Sequence, residues 1–148
     1  MLALGGCSTL PLKPGTAKVK IIADPDINPT PLGQPAPTLV RIFTLRNDTT
    51  FMQADFLSLA DQPAATLGDD LLDKREYVMV PGTKQKFAVS LTEEAGFFGI
   101  IAGFREIETA RWRALSVLEP HSENMVEIEL SGFTVVVRSA LYKAYGWW

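Results

Sequence analysis

The chain has 148 residues, a formal net charge of −3 and a hydrophobic fraction of 47%. This length is enough for one domain with its own core, and the hydrophobic fraction is too high for a disordered segment. The slight acidic excess gives no basis for a nucleic-acid partner. The longest apolar run, residues 95–104, is about half the roughly 20 residues that span a bilayer, so we expect no transmembrane helix.

The single cysteine, Cys7, follows the tripeptide LGG near the start of the chain. An apolar residue, two small residues and a cysteine form the lipobox of bacterial lipoproteins, because signal peptidases require small residues before the cleavage point. We therefore predict that residues 1–7 are the remnant of a lipoprotein signal peptide and that Cys7 is lipidated. The alternative is an N-terminal remnant whose cysteine has no role. Residues 8–16 are polar and contain proline, which predicts a tether.

Residues 17–148 are predicted to form a single β-sandwich domain. The segment AKVKIIA alternates apolar residues with lysines, as a half-buried strand does. The segments TLVRIFTLR and FFGIIAGFR are apolar on both sides, which indicates more buried strands, and Gly99 and Gly103 are expected to permit close packing. Seven or eight such strands, separated by turn signals, predict an all-β fold of two packed sheets.

One segment between the second and third predicted strands has helical periodicity. In DTTFMQADFLSLADQP, Thr50 and Gln53 fit a capping box at a helix start. Met52, Phe56 and Leu59 then recur at helical spacing. A second short helical turn is expected to follow. These patterns predict a small helical insertion between strands 2 and 3.

The segment DPDINPTPLGQPAP, residues 24–37, carries five prolines and one glycine in fourteen positions between strands 1 and 2. Proline lowers the entropy that a loop loses when it is held in one conformation, so this loop is predicted to be stiff. A long ordered loop at the end of a sandwich indicates a recognition surface. The alternative is a rigid crossover between the two sheets.

Residues that carry catalysis or bind metals are sparse. The single histidine, His121, follows Pro120 in a predicted turn, and the single cysteine lies near the N-terminus. A nucleophile with its base, or a histidine and cysteine metal site, therefore lacks its residues. The segment PGTKQK does not have the GxxxxGK[ST] frame of a phosphate-binding loop. We expect a binding or structural protein that is not an enzyme and has no cofactor, metal or small-molecule substrate.

Several of these motifs together resemble a known family. After the lipobox cysteine come INPTPLGQPAPTLVRIFTL, FMQADFLSL, LGDDLL, a VPG turn and FFGIIAGFREIETARWR. This order resembles the TssJ family, the outer-membrane lipoproteins of the bacterial type VI secretion system, over most of residues 17–138. The resemblance implies a transthyretin-like sandwich of two four-stranded sheets, with an added helical segment and a long loop between strands 1 and 2. The residue patterns place both additions at the same positions independently.

The resemblance also implies a docking role. Members of the family lie on the inner leaflet of the outer membrane, face the periplasm and bind the periplasmic C-terminal region of the inner-membrane protein TssM, in a complex with TssL. Their strand 1–2 loop contacts TssM, and this role carries over to residues 24–37. Within this loop we predict five partner-binding residues: Ile27, Asn28, Pro29, Leu32 and Gln34. The two aliphatic side chains would anchor in a partner pocket, and the two amides would give directional hydrogen bonds.

Two other functions fit the same patterns. A transthyretin-like periplasmic carrier would hold a small apolar ligand between its sheets or subunits, which requires a cavity. The inward faces of the predicted strands are instead dense in large apolar residues. An anchoring module of another envelope machine would use the same stiff loop. The aromatic C-terminal segment LYKAYGWW has no role that the sequence assigns.

Overall fold

The computed structural model describes residues 6–7 and 9–141, which contain two stacked four-stranded sheets. The strands in chain order are β1 (Thr16–Ala23), β2 (Thr38–Leu45), β3 (Leu71–Met79), β4 (Lys84–Ser90), β5 (Phe97–Ala102), β6 (Arg113–Val117), β7 (Glu123–Ser131) and β8 (Thr134–Leu141). The predicted all-β sandwich of about eight strands is confirmed. The predicted signal-peptide remnant lies mostly outside the described residues, as does the aromatic segment after Leu141.

The two sheets are built from non-consecutive strands. The first sheet has the order β4-β1-β7-β8, and the second has the order β3-β2-β5-β6. Strands β1 and β7 pair in parallel, and every other pair is antiparallel. The strands of the two sheets are therefore joined by crossovers as well as by hairpins, of which the β7–β8 hairpin is the tightest. Its two-residue turn begins at Gly132, whose positive φ of 54° glycine adopts readily.

The main core lies between the two sheets. Alternate residues of β1 (Ala17, Val19, Ile21 and Ala23) are buried, as the two-residue alternation of this strand predicts. Ile42 and Ile100 from the facing sheet are buried against them, and so is Ile128 from β7, the neighbour of β1 in its own sheet. Large aliphatic residues from both sheets therefore fill the space that a carrier would need for its ligand.

The predicted helical insertion is confirmed, and it covers the outer face of the second sheet. It consists of α1 (Thr49–Gln53), α2 (Phe56–Asp61), α3 (Pro63–Leu67) and a 3-10 turn (Gly68–Asp70). A second apolar cluster forms where the insertion packs on β2 and β5, with Phe43, Phe51, Leu59 and Ile101 fully buried. Among the described residues, no helix is long and apolar enough to cross a membrane.

Two details of the predicted helix are wrong. The first helix begins after Asp48, and Thr50 lies inside it without the predicted capping box. Met52 is 48% exposed, and Phe51 is buried in its place. The physical reason is a break after Gln53, which prevents one helical periodicity from running through the segment. The side-chain cap lies at the second helix, where Asp55 accepts a hydrogen bond from the Ser58 amide at 2.8 Å, and this bond lowers the pKa of Asp55.

Arg113 holds the insertion on the second sheet. Its guanidinium donates hydrogen bonds to the carbonyl of Phe51 in α1 at 2.6 Å and to the carbonyl of Ala54, the residue directly after α1, at 2.8 Å. The same group lies 4.2 Å from the centroid of the Trp112 ring, which packs edge-on against Phe56. Burial lowers the pKa of Arg113, and the nearby carboxylate of Asp55 opposes this shift. The Trp112 ring is half-buried and packs against both apolar clusters.

We predict that Gly99→Ala destabilises the domain and that Gly103→Ala does not. A Cβ at Gly99 would lie 2.8 Å from the buried Phe51 ring, whereas a Cβ at Gly103 would have no neighbour closer than 3.5 Å. Overpacking of this kind lowers the free energy of unfolding by about 1–3 kcal/mol. Urea unfolding of both variants measures the difference. Equal stability of the two variants would contradict the close packing of the insertion on β5.

Candidate docking surface

The tether and the proline-rich loop lie at opposite ends of the sandwich. Strand β1 begins at Thr16, directly after the tether, and ends at Ala23, directly before the loop. An eight-residue strand spans about 26 Å. Cys7, the predicted lipidation site, is exposed on the tether side. A partner bound at the loop would therefore lie on the side of the domain away from the tether.

Hydrogen bonds fix the point at which the tether enters the domain. The amide of Gly15 donates to the Pro120 carbonyl at 2.7 Å, and a Cβ at Gly15 would lie only 2.5 Å from the Ser122 carbonyl oxygen. The buried side chain of Asn124 donates to the carbonyls of Thr16 at 3.1 Å and Glu119 at 3.0 Å. The domain therefore holds the chain firmly from Gly15 onward.

The proline-rich loop is bound to three neighbouring connections at its end of the sandwich. The main-chain amide of Asn28 donates to the Gly132 carbonyl in the β7–β8 turn at 2.8 Å. The amide of Arg105, in the β5–β6 loop, donates to the Asn28 side chain at 2.8 Å. The amide of Gly82, in the β3–β4 turn, donates to the Asp24 carbonyl at 3.3 Å. These bonds join the loop to the domain at three points. The stiffness that its proline content indicates stays a prediction.

Two of the five predicted partner-binding residues have roles inside the domain. Ile27 is fully buried in the inter-sheet core, so its side chain is not available as an anchor in a partner pocket. Asn28 is buried as well, and its amide group bonds to the Pro37 carbonyl at 3.1 Å and to Arg105. Its φ of +49° is one that asparagine tolerates better than most residues. The predicted contacts of these two side chains with a partner are therefore corrected to structural roles.

The tip of the loop is a three-residue turn that displays Leu32. The Thr30 amide donates to the Gln34 carbonyl at 2.7 Å, and the Gly33 amide donates to the Thr30 carbonyl at 2.8 Å. Gly33 has a φ of +79°, the left-handed conformation that closes turns of this length. Leu32 is 88% exposed at this tip. The structure thus presents a large aliphatic side chain to solvent on a well-defined backbone.

The other two predicted contact residues flank this tip. Pro29 is half-buried at its base, and Gln34 is exposed, with its main chain paired to Thr30. Partner contacts of Pro29, Leu32 and Gln34 stay predictions. The structure brings these three residues together on the outer part of the loop and places Ile27 and Asn28 on its inner part.

Two further exposed apolar residues, Val78 and Val80, lie beside the loop and were not predicted from the sequence. Thr38, which follows the loop, pairs with Met79, so the two valines flank the base of the loop at the edge of the second sheet. Both faces of this edge strand are apolar near its end, because Tyr77 and Met79 face inward. An apolar run on both sides of an edge strand was the sequence signal for this surface.

A two-sheet sandwich with a helical insertion after β2 and a long loop after β1 is the class of domain that this structure defines. A model of the family T6SS-SciN, described as type VI secretion lipoprotein, VasD, EvfM, TssJ, matches residues 15–132. The chain belongs to this type VI secretion lipoprotein family. A comparison with curated proteins gives no match.

Solved structures agree with the family. The chain is similar to the T6SS lipoprotein TssJ1 from Pseudomonas aeruginosa, with a TM-score of 0.83 and 28% identity over 88% of this chain and 99% of that one. It is similar to Serratia marcescens Lip, a membrane-bound component of the type VI secretion system (TM-score 0.74, 26% identity, 86% and 97% covered). It is also similar to a chain in the structure of the T6SS protein TssM C-terminal domain from EAEC (TM-score 0.68, 27% identity, 83% and 97% covered). These likenesses confirm the transthyretin-like arrangement that the resemblance implied.

We predict that Asn28→Ala lowers the free energy of unfolding by about 2–4 kcal/mol, because it removes two buried hydrogen bonds and places alanine in a left-handed conformation. Leu32→Ala changes it by less than about 0.5 kcal/mol, since this exposed side chain packs on nothing. Urea unfolding measures both. A destabilised Leu32→Ala variant with an unaffected Asn28→Ala variant would reverse the roles assigned to the inner and outer parts of the loop.

Proposed function

We propose that this protein is the outer-membrane lipoprotein of a type VI secretion membrane complex and that it docks the periplasmic C-terminal region of TssM through residues 24–37. Membership in the type VI secretion lipoprotein family supports the system. The similar chain from a TssM C-terminal domain structure supports the partner. The membrane-bound Serratia marcescens relative supports attachment to a membrane.

The observation that carries the docking proposal is the display of Leu32 on a fixed loop, opposite the tether. A loop that is already ordered loses little conformational entropy on binding, so more of the contact energy appears as affinity. A large aliphatic side chain that enters a partner pocket is a usual source of that energy. Val78 and Val80 would extend the apolar contact beyond the tip, and Gln34 would orient the partner through directional hydrogen bonds.

Attachment to the inner leaflet of the outer membrane is proposed to occur through Cys7. This cysteine is exposed and lies eight positions before Gly15, at which the domain begins to hold the chain. One acyl chain binds a membrane weakly and reversibly, whereas two or more give stable attachment at about 0.8 kcal/mol per buried CH₂. Stable attachment at one end would let the complex bear load between the membrane and TssM.

We further propose that the protein acts by binding and not by catalysis. The single histidine, His121, is exposed at the tether end, 3.4 Å from the Lys13 carbonyl oxygen and far along the chain from the loop. Ligand carriage between the sheets is disfavoured by the large side chains that fill this space. An anchoring module of another envelope machine is the remaining alternative, and a binding experiment with TssM distinguishes it from the proposed function.

We predict that Leu32→Asp weakens binding to the periplasmic C-terminal region of TssM at least tenfold, because a charge replaces the apolar side chain at the tip. The matched control is Leu10→Asp, since Leu10 is 87% exposed on the tether and Leu32 is 88% exposed on the loop. Calorimetric titration of both variants, in full chains that carry Cys7→Ser, measures the two affinities.

Tight binding by the parent and by Leu10→Asp, together with weak binding by Leu32→Asp, is the expected result. Equal binding by both variants would show that the loop tip is not the docking site. A folded parent that does not bind TssM would contradict the docking role itself and favour another envelope machine.

We predict that Cys7→Ser releases the protein from the membrane fraction and abolishes type VI secretion, while its unfolding midpoint in urea stays unchanged. The cysteine lies outside the sandwich, so its loss removes the anchor and no packing contact. Fractionation and a secretion assay in the same strain are the measurements. Normal secretion by a soluble periplasmic variant would contradict a role of the anchor.

A further inference from the structure

Strand β3 forms one edge of the second sheet, and part of its main chain faces away from that sheet. The Gly103 amide donates to the Leu39 carbonyl at 2.9 Å, so the main chain of Leu39 faces β5. Bonding alternates along an antiparallel strand, so the residues of β2 on either side of Leu39 bond to β3. The main chain of Val78, the register partner of Leu39, therefore faces outward.

The same alternation applies to Glu76 and Lys74, which precede Val78 at two-residue intervals. Each of these three residues directs one N–H donor and one C=O acceptor away from β2. Among the described residues, no main-chain hydrogen bond forms on this side of the strand. The edge thus offers donors and acceptors in the spacing of a β-ladder to an incoming strand.

The other edge strands of the sandwich carry features that protect a sheet against such pairing. Strands β6 and β8 are joined at one end, where the Val135 amide donates to the Arg111 carbonyl at 2.9 Å. Strand β4 holds two lysines, Lys84 and Lys86, at positions whose main chain faces away from β1. Lysines at an edge are a common protection, because a pairing strand would have to cover their charges.

Strand β3 is protected mainly at its end near the tether. A bulge at Leu72 interrupts its pairing with β2 there. The Glu76 carboxylate contacts Lys74 at 3.2 Å and Arg41 of β2 at 3.1 Å, so these charges form one group over the sheet. Val78 follows without a charge and is 67% exposed. The unprotected part of the edge is therefore the part beside the proline-rich loop.

We propose that an extended segment of the docking partner adds to β3 as a fifth strand of the second sheet. This inference rests on the proposed docking of TssM and adds a second contact to that of the loop. The edge and the loop are continuous, because the Gly82 amide after β3 donates to the Asp24 carbonyl at 3.3 Å and Thr38 pairs with Met79. A partner bound at Leu32 therefore reaches the edge without crossing another surface.

The edge defines the chemistry of the segment that fits it. Main-chain hydrogen bonds supply affinity in strand addition, and side chains at alternate positions supply specificity. The segment needs an apolar side chain opposite Val78, as in cross-strand pairs within a sheet. It also needs a residue other than proline wherever its N–H donates to β3. An extended apolar segment of the partner meets these requirements, whereas a helix does not.

Amide hydrogen exchange tests the pairing directly in full chains that carry Cys7→Ser. The amides of Glu76 and Val78 face solvent in the free protein, and that of Tyr77 bonds to β2. On addition of the periplasmic C-terminal region of TssM, we expect exchange at Glu76 and Val78 to slow at least about tenfold, as in a paired strand. Exchange is followed residue by residue by NMR.

The matched control position is Ala88 on β4. The Ala23 amide donates to the Thr83 carbonyl, and alternation from this bond directs the main chain of Ala88 away from β1. Ala88 thus lies on a free edge as Val78 does, but on the other sheet. Its exchange rate should stay unchanged when TssM binds.

Proline variants test the contribution of the edge to affinity. Val78→Pro removes an outward N–H without breaking a hydrogen bond of the domain, and Ala88→Pro makes the same change on β4. We expect Val78→Pro to weaken TssM binding at least about tenfold and Ala88→Pro to leave it within about twofold of the parent. Val78→Thr keeps the donor and the branched shape, so it should weaken binding less than Val78→Pro does. Calorimetry measures the affinities, and urea unfolding shows that the variants fold.

The outcomes separate this inference from the proposed function. TssM binding with unchanged exchange at Glu76 and Val78 would overturn strand addition and leave docking intact. Equal binding by folded Val78→Pro and Ala88→Pro variants would overturn it as well. Exchange that slows when the protein alone is concentrated would assign the edge to a second copy of the chain. A folded parent that does not bind TssM would contradict the proposed function and this inference together.

Discussion

The position of β1 at the centre of the first sheet is the constraint on which the arrangement of the protein depends. This strand receives the tether at Thr16 and delivers the proline-rich loop after Ala23. It pairs antiparallel with β4 and parallel with β7, so both of its edges are hydrogen-bonded along its length. Because a strand is straight and well paired, the two segments it joins are held apart at opposite ends of the domain. This geometry separates the proposed anchor from the proposed docking loop.

The loop contains two sets of residues with different surroundings. Ile27 and Asn28 face the domain, where one fills the core and the other satisfies the Pro37 carbonyl and the Arg105 amide. Leu32 and Gln34 face solvent on the turn closed by Gly33. The inner residues fix the backbone that displays the outer ones. Proline content alone limits the freedom of the loop, and these buried contacts select the single conformation.

Much of this fold could be predicted from the sequence, because the relevant signals are local. The alternation in β1, the apolar run of β5 and the helical segment after β2 each depend on residues that are neighbours in the chain. The division of the loop could not be predicted in this way. Asn28 is held by Gly132 and Arg105, which lie far away in the sequence, and their proximity appears only after the sheets have formed. The same limit explains why Met52 was predicted to be buried in place of Phe51, since the break after α1 decides which of the two side chains faces inward.

The two sheets also differ in what covers their outer faces, and this difference bears on where a partner can bind. The insertion covers β2 and β5 of the second sheet, and Arg113 fixes it there through the carbonyls of Phe51 and Ala54. The end of β3 is left open, with Val78 and Val80 exposed next to the loop. On the first sheet Lys18 pairs with Glu123, and separating such a pair on binding would cost free energy. The loop end therefore offers a partner exposed apolar side chains on a fixed backbone, without the cost of separating ion pairs.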